Sequence, residues 1–495
     1  MSELHDIIIR GGMVADGEGG PLIRADVAVD GDKITRIGPL DKAKAKLVVD
    51  AAGQVVSPGF IDVHNHGNDE VDGGILRIPH ADNMLRQGVT TIVCGNCGGS
   101  SFPIGKHLDA VAKLAIRQNY CTLVGLMNVR TKAMQGKAEA PNGEQRDRIR
   151  KEMAQAVDEG AFGMSAGYFP PYVQLPEIVA AAHGASDRGG IYASHIRSEG
   201  DGLLEAVEEI IQISEQAEIP VQISHMKTFG KANWHKCDAL LAMVDQAAAR
   251  GVPITADRYT YLAAYGGITD FCPAWARSYW KAGLSTQDKE RMRKEMQEKF
   301  ERMAGPEDII VAPWWPDPDF GGKTIAQIAQ EQNMHPADVV MEMSFRPKTS
   351  FVRGAMCEEN IRRVLAHPLV MIATDGHLRT LDDGYNHPRN YGTFPRTIAK
   401  YVREAKLFSL ETAVKKMTSM PAVKYRIPKR GLLREGCHAD IVVFDPETLR
   451  DMATFENPHQ YPVGISTILV NGGLAVENGH STSGSYGRVL RKGAE

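Results

Sequence analysis

Residues 55–67 read VVSPGFIDVHNHG. A short apolar strand ends in two histidines, His64 and His66, and that ending separates two architectures. An open doubly wound sheet normally places a glycine-rich phosphate turn after its first strand. A strand ending in H-x-H instead suits a barrel whose strand ends carry a metal site. Alternation puts both side chains on one face, with Cα atoms ~6.5 Å apart. That spacing lets two imidazoles turn toward one ion. Alone the pair is a weak motif, and two polar residues at a strand end account for it equally well.

The rest of the chain decides. Further short apolar runs end near Cys97 (VTTIVCGNC), Val129 (CTLVGLMNV), Phe169 (AFGMSAGYF) and Ile196 (GGIYASHI). Others end near Met226 (IPVQISHM), Tyr261 (VPITADRYTY) and Gly376 (PLVMIATDG). With the first that makes eight. Most ends lie about 30–40 residues apart, the length of one strand–helix unit. Helical stretches fill the gaps. DRIRKEMAQAVDEG (147–160) has helical spacing and a glycine where a C-cap belongs, and GLLEAVEEIIQISEQA (202–217) is a second. The predicted fold class is α/β, a (β/α)8 TIM-like barrel.

Both chain ends have a different texture. DIIIRGGMVADGEG, ADVAVDGDKITRIG and KLVVDAAGQVV near the start are β-branched runs broken by Gly and Asp. ADIVVFDPETL (439–449) and STILVNGGLAVENGH (466–480) repeat that texture near the end. We expect a small β-sandwich domain built from residues 1–58 and 419–495, with the barrel over 59–418. The stretch between Asp257 and Asp375 is far too long for one unit. It is read as an insertion, about 265–348, over the barrel mouth, and TSFVRGAM (349–356) within reach of it has the makings of a strand.

Bulk properties exclude several functions. The chain has 495 residues, 43% hydrophobic and 24% charged, with a net charge of −4. This fits a globular protein and gives no electrostatic case for nucleic acid or membrane partners. No secretory signal or bilayer-spanning run is visible. Seven scattered cysteines argue for a reducing compartment, so a cytoplasmic location is expected. Nothing in the sequence sets an oligomeric state.

In a barrel of this kind all strand C-termini meet at one face. Five strand ends therefore deliver His64 and His66, Cys97, His195, His225 and Asp375 to one place. Four imidazoles, a thiol and a carboxylate make a metal-site inventory. One or two core histidines could arise by chance, but not a set placed consistently at strand ends. Cys94, three residues before Cys97, points to the opposite face of its strand and is expected to be core.

SPGFIDVHNHG, GNCG, SHIRSEGD, ISHMK, TDG and HPRNYGTFPR resemble the amidohydrolase superfamily, and within it the D-aminoacylase (N-acyl-D-amino-acid deacylase) family. The return segment GLLREGCHADIVVFDPETL resembles it too, so the likeness spans the chain. The resemblance implies hydrolysis of an N-acyl-D-amino acid, a small-molecule substrate. It implies one tightly bound zinc on Cys97, His195 and His225, and a second, weaker divalent metal position shaped by His64, His66 and Cys97. Asp375 would be the acid/base beside the metal, and Tyr259 an oxyanion donor, preferred over Tyr261 on the same face. Arg389 and Lys227 would meet the substrate carboxylate, for which an arginine fork is well suited. Two departures stand out. Thr374 and His377 flank the acid where the family often has a serine and an apolar residue, and LAAYGGITD (262–270) lacks the serine expected near the substrate.

Other functions were weighed. A ring-opening hydrolase of a cyclic amide such as a hydantoin belongs to a branch that bridges two metals through a lysine on the fourth strand, and FGMSAGYF contains none. A deacylase restricted to N-acyl-D-Glu or N-acyl-D-Asp would need a further cation, and none stands out. A thiol–disulfide protein using Cys94 and Cys97 leaves the histidines unexplained. A non-catalytic binding barrel leaves the ligand set and Asp375 without a purpose.

Overall fold

The computed structural model describes residues 4–68, 73–268 and 271–494. Met1–Glu3 and Glu495, at the outer ends of the expected small domain, lie outside the described residues, as do Thr269 and Asp270 of the expected insertion. Among the strands in the middle of the described chain are β1 (Phe60–Asp62), β2 (Val89–Cys94), β3 (Asn119–Thr122) and β4 (Gly163–Ala166), then β5 (Ile191–Ser194), β6 (Val221–Ile223), β7 (Ile254–Arg258) and β8 (Val370–Ile372). β1, β2 and β3 form one parallel sheet. The other runs in the order β8–β7–β6–β5–β4 and ends on Val124–Gly125, again all parallel.

Two seams join these sheets. Leu123 alone separates β3 from Val124–Gly125, and its N–H donates to the Cys94 carbonyl at 2.8 Å. On the opposite side Asn65 bridges Gly376 in the parallel sense, and the His66 N–H donates to the Gly376 carbonyl at 2.7 Å. The Asp62 carboxylate reinforces this seam by accepting from the Thr374 N–H at 2.9 Å and the Thr374 hydroxyl at 2.5 Å. The departure at Thr374 is thereby accommodated, since any hydroxyl there can make the bond.

Every residue of β2, β5 and β8 is buried. That is the pattern of parallel strands covered by helices, and it explains the continuous apolar runs in their sequences. Helix Gly143–Asp158 starts on a capping box between Asn142 and Gln145, and Gly160, at φ +121°, follows its end. Helix Leu203–Ala217 buries Leu203, Val207, Ile210, Ile211 and Ser214 along one stripe. One strand is shorter than its sequence suggests. The run CTLVGLMNV leaves extended conformation at Gly125, and Leu126–Ala133 is helix.

Strands from both chain ends share one nine-stranded mixed sheet. Its longest strand, Leu4–Val14, forks: its first half pairs in parallel with Lys44–Asp50 and its last two residues with Val55–Pro58. Ile441–Phe444 and Ile465–Val470 from the end of the chain extend that sheet antiparallel to Val55–Pro58 and to each other. Ile7, Ile9, Val27, Val56, Ile441 and Val443 fill a core of their own. The long stretch after β7 has a separate antiparallel sheet of Ala264–Gly266, Ile309–Pro313 and Thr349–Arg353, with helix Thr286–Arg302 between its strands in sequence. TSFVRGAM is thus a strand, but of this sheet and not of the parallel ones. Among the described residues no helix is long and apolar enough to cross a membrane.

Candidate metal centre

The side chains at issue sit one to four residues past the ends of β1, β2, β5, β6 and β8, all on one side of the sheets. Three of them turn sharply. Cys97 has φ +53°, His225 φ +38° and Asp375 φ +50°. A non-glycine residue in the left-handed region costs about 1–2 kcal/mol, and such strain gathers where side chains must be aimed. Gly95 and Gly98, at φ +75° and +81°, carry the turn around Cys97.

The predicted residues converge. Cys97 Sγ lies 3.3 Å from His64 Nε2 and 3.7 Å from His225 Nε2. Asp375 Oδ1 lies 3.1 Å from His66 Nε2 and 3.4 Å from His64 Nε2. The His195 and His225 rings meet edge to face at 4.5 Å. Three overlapping groups have their ligand atoms within 4.8 Å of one another: His64, His66 and Cys97; Cys97, His195 and His225; and His64, His225 and Asp375. All six residues named as ligands from the sequence belong to this one cluster. Cys94 stands apart, fully buried in β2, with its sulfur 3.8 Å from the Asn65 side-chain oxygen.

The charges of the cluster fit a cation. Burial by itself would raise the Cys97 thiol, but His64 and hydrogen bonds with His195 and His225 pull it well below the ordinary thiol range. Burial likewise works against ionising Asp375, yet Arg389, His64 and His225 hold its carboxyl well below the usual carboxylate range. Burial disfavours protonated imidazole, and still Cys97, Asp257 and Asp375 push His64 well above its ordinary value. His66 rises to about 9 through Asp375 and Cys97, against the effect of burial. A half-buried thiolate beside a buried carboxylate needs positive charge, which protons on imidazole or a divalent ion can supply. Thiolate, imidazole and carboxylate together are a donor set suited to zinc.

Two carboxylates missed from the sequence orient the imidazoles. Asp257, at the end of β7, accepts from His64 Nδ1 at 3.2 Å, from the His225 N–H at 2.7 Å and from Gln222 at 2.8 Å. Its signal was available, for it is a carboxylate at a strand end like the others. Glu199 lies 2.8 Å from His225 Nδ1 and 3.8 Å from His195 Nε2. It follows His195 by four residues in a loop, where spacing gives no cue. Carboxylates behind ligating histidines fix ring orientation and raise donor strength.

Lys227 donates to Glu199 and lies 2.9 Å from His225 Nδ1. Arg389, 1% exposed, donates from Nη1 to Asp375 Oδ2 at 2.6 Å, and its Nε has no hydrogen-bond partner among the described residues. Its guanidinium sits 4.7 Å from the centre of the Tyr259 ring. The Tyr259 hydroxyl is fully buried without a hydrogen-bond partner among the described residues, whereas the Tyr261 hydroxyl donates to Asp451 at 3.2 Å. A cavity of about 820 Å³ opens over the cluster. His66, Cys97, His195, His225, Lys227, Asp375 and Arg389 line its floor. Tyr265, Trp314, Lys348 and Arg353 from the antiparallel sheet and its neighbouring loops line its walls, together with His377, which stacks on His66 at 4.9 Å. Tyr265 was not singled out from the sequence, although it lies in LAAYGGITD.

A model of the amidohydrolase family matches residues 47–476. The chain belongs to the amidohydrolase family. Within it, an N-acyl-D-glutamate deacylase of Alcaligenes xylosoxydans xylosoxydans is 34% identical over 519 residues, covering 100% of this chain and 98% of that protein. A D-aminoacylase of the same organism is 33% identical over 519 residues, covering 100% and 99%. The crystal structure of an N-acyl-D-glutamate deacylase from Bordetella bronchiseptica, complexed with zinc and a phosphonate mimic of the reaction tetrahedral intermediate, aligns with a TM-score of 0.86. It is 31% identical and covers 99% of this chain and 100% of that one.

Proposed function

We propose that this amidohydrolase is a zinc-dependent N-acyl-D-amino-acid deacylase, releasing a D-amino acid and a carboxylate. The observation that carries the proposal is the convergence of Cys97, His195 and His225 beside Asp375 and Arg389 in one cavity, in a chain alike over its full length to deacylases of D-amino acids. The two parallel sheets, seamed at Leu123 and at Asn65–Gly376, are read as one closed eight-stranded barrel over 59–418. The mixed terminal sheet, with its own core, is read as the small sandwich of 1–58 and 419–495, and the antiparallel sheet as part of an insertion over the mouth that runs past the expected 265–348 to include Thr349–Arg353. Seven cysteines, all free, suit the reducing cytoplasm.

Cys97, His195 and His225 would hold the tight zinc, and His64, His66 and Cys97 the weaker position. Bound there, zinc would supply Lewis acidity and would lower the pKa of a nearby water to about 7. Asp375 starts as a carboxylate, orients that water and takes its proton as the tetrahedral carbon forms. It then passes the proton to the leaving nitrogen, so the amine departs neutral. The unpartnered Tyr259 hydroxyl is placed to donate to the developing oxyanion. Arg389 spends one donor on Asp375 and keeps others for the substrate carboxylate. Lys227 adds positive charge at the cavity floor, tempered by its pairing with Glu199.

The alternatives account for less. β4 offers no bridging lysine to a ring-opening site, and the buried Arg389 calls for a free carboxylate. Cys94 and Cys97 face different surroundings, so they do not act as a redox pair. The N-acyl-D-glutamate deacylase and the D-aminoacylase are 34% and 33% identical, so identity does not favour restriction to acidic side chains. Metal analysis tests the proposal. The purified chain should carry about one zinc, lose deacylation on chelation and recover it with zinc. A fully folded, metal-free chain with undiminished activity would refute it.

A further inference from the structure

Ser165 is fully buried in the middle of β4, where the sequence offers no lysine. Its hydroxyl spans both ends of the turn that presents Cys97. It accepts from the Gly98 N–H at 3.0 Å and donates to the Gly95 carbonyl at 2.5 Å. A hydroxyl has one proton to give and lone pairs to receive, so one side chain closes the turn from both sides. The turn needs such a clamp. Cys97 holds φ +53°, a conformation that favours glycine, and its flanking glycines offer many others.

The surroundings are built to the same fit. A Cβ on Gly167, just past β4, would lie 2.4 Å from the Cys97 carbonyl, and one on Gly98 would lie 2.9 Å from the Gly167 nitrogen. A Cβ on Gly95 would lie 2.2 Å from the Leu123 carbonyl. The turn is therefore pressed against β4 and the end of β3 with no space for side chains; the Thr122 hydroxyl and Asn68 also meet Gly95, and the Ser165 hydroxyl bonds to both Gly95 and Gly98. Removing it leaves a buried N–H and a buried C=O without that partner. The backbone then relaxes at the residue that aims the sulfur between His64 and His225.

We propose that Ser165 is a positioning residue for the Cys97 ligand, setting zinc affinity through the shape of the Gly95–Gly98 turn without touching metal or substrate. The proposal rests on the zinc site described above. Partners behind metal ligands typically govern affinity by about 10–100-fold. Ser165→Ala should weaken zinc binding, measured by competition with a chromophoric chelator, by about tenfold or more. It should also weaken or shift the thiolate-to-cobalt charge-transfer band of the cobalt-substituted protein, a signature that general loosening elsewhere would leave alone. The pair Ser165→Thr and Ser165→Val, equal in volume and differing in the hydroxyl, repeats the comparison should the alanine variant fold poorly. Thr is expected to stay near wild type and Val to follow Ala. Zinc affinity within twofold of wild type in both Ala and Val, with an unchanged cobalt band, would overturn the proposal. Failure of the underlying zinc assignment reads differently, for then Cys97→Ala itself would bind zinc as wild type does.

Discussion

Asp375→Asn is the most informative single substitution. The two carboxylate oxygens have separate partners, with Oδ2 2.6 Å from Arg389 Nη1 and Oδ1 3.1 Å from His66 Nε2. Asparagine keeps the shape and can still offer its oxygen to Arg389, so the left-handed turn at residue 375 and the seam to Asn65 should persist. The amide then faces the imidazoles with a donor and accepts no proton. Positioned acid–base catalysis contributes about 10²–10⁴-fold, and Asp375 is assigned both the uptake and the return of the proton. We expect kcat to fall by about 10³-fold or more, equivalent to about 4 kcal/mol of barrier. Zinc content should stay near wild type, because Cys97, His195 and His225 are untouched. Release of D-amino acid measured by chromatography, beside metal analysis of the same sample, reads both quantities. A variant with normal zinc and kcat within tenfold of wild type would refute the assignment of Asp375 as acid and base.

Other expectations are as specific. Cys97→Ala should lose zinc and turnover, whereas Cys94→Ala should keep both and lose about 1 kcal/mol of stability from a small core vacancy, read from chemical denaturation. Gly167→Ala should lower zinc affinity by displacing the Cys97 carbonyl, since the new Cβ would lie 2.4 Å from it. Lys416 is 2% exposed and donates to the His367 and Val370 carbonyls beside β8, and burial pushes it down to about 8. Between pH 8 and the ordinary lysine range near 10.5, the unfolded chain binds a proton that the folded one has released. Stability should therefore gain a contribution that rises with pH across that window, up to about 3 kcal/mol. Lys416→Met should remove this slope from a series of denaturation curves, and an unchanged slope would count against it.

Much of the candidate site was legible because parallel strands present their C-terminal ends on one side of a sheet. Residues just past those ends gather there, so His64, Cys97, His195, His225 and Asp375 could be grouped before any coordinates. Asp257 sits one residue before the end of β7 rather than past it, but as a carboxylate at that edge it too could have been grouped with them. Glu199 and Ser165 could not, because their contacts reach residues on other strand ends and depend on loop and turn geometry. The run at 121–129 was misjudged in length for a related reason. Short apolar stretches suit strand and helix alike, and Leu126 onward packs as a helix. The length of the stretch between Asp257 and Asp375 was legible as an excess of chain, but its strands pair with one another, a choice that local pattern does not encode. The terminal sheet was expected from matching texture at the two ends. Its fork at the long first strand follows from two shorter segments, Lys44–Asp50 and Val55–Pro58, pairing with different halves of it.

The central claim is hydrolysis of linear amides of D-amino acids. The most direct test is kcat/KM for matched N-acetyl-D- and N-acetyl-L-amino acids, with hydantoins alongside, on the zinc-loaded enzyme. The account predicts turnover of D-substrates at least about 100-fold above their L-enantiomers, a difference of about 2.7 kcal/mol in the transition state, and none of the hydantoins. Equal rates on both enantiomers, or turnover confined to hydantoins, would contradict it.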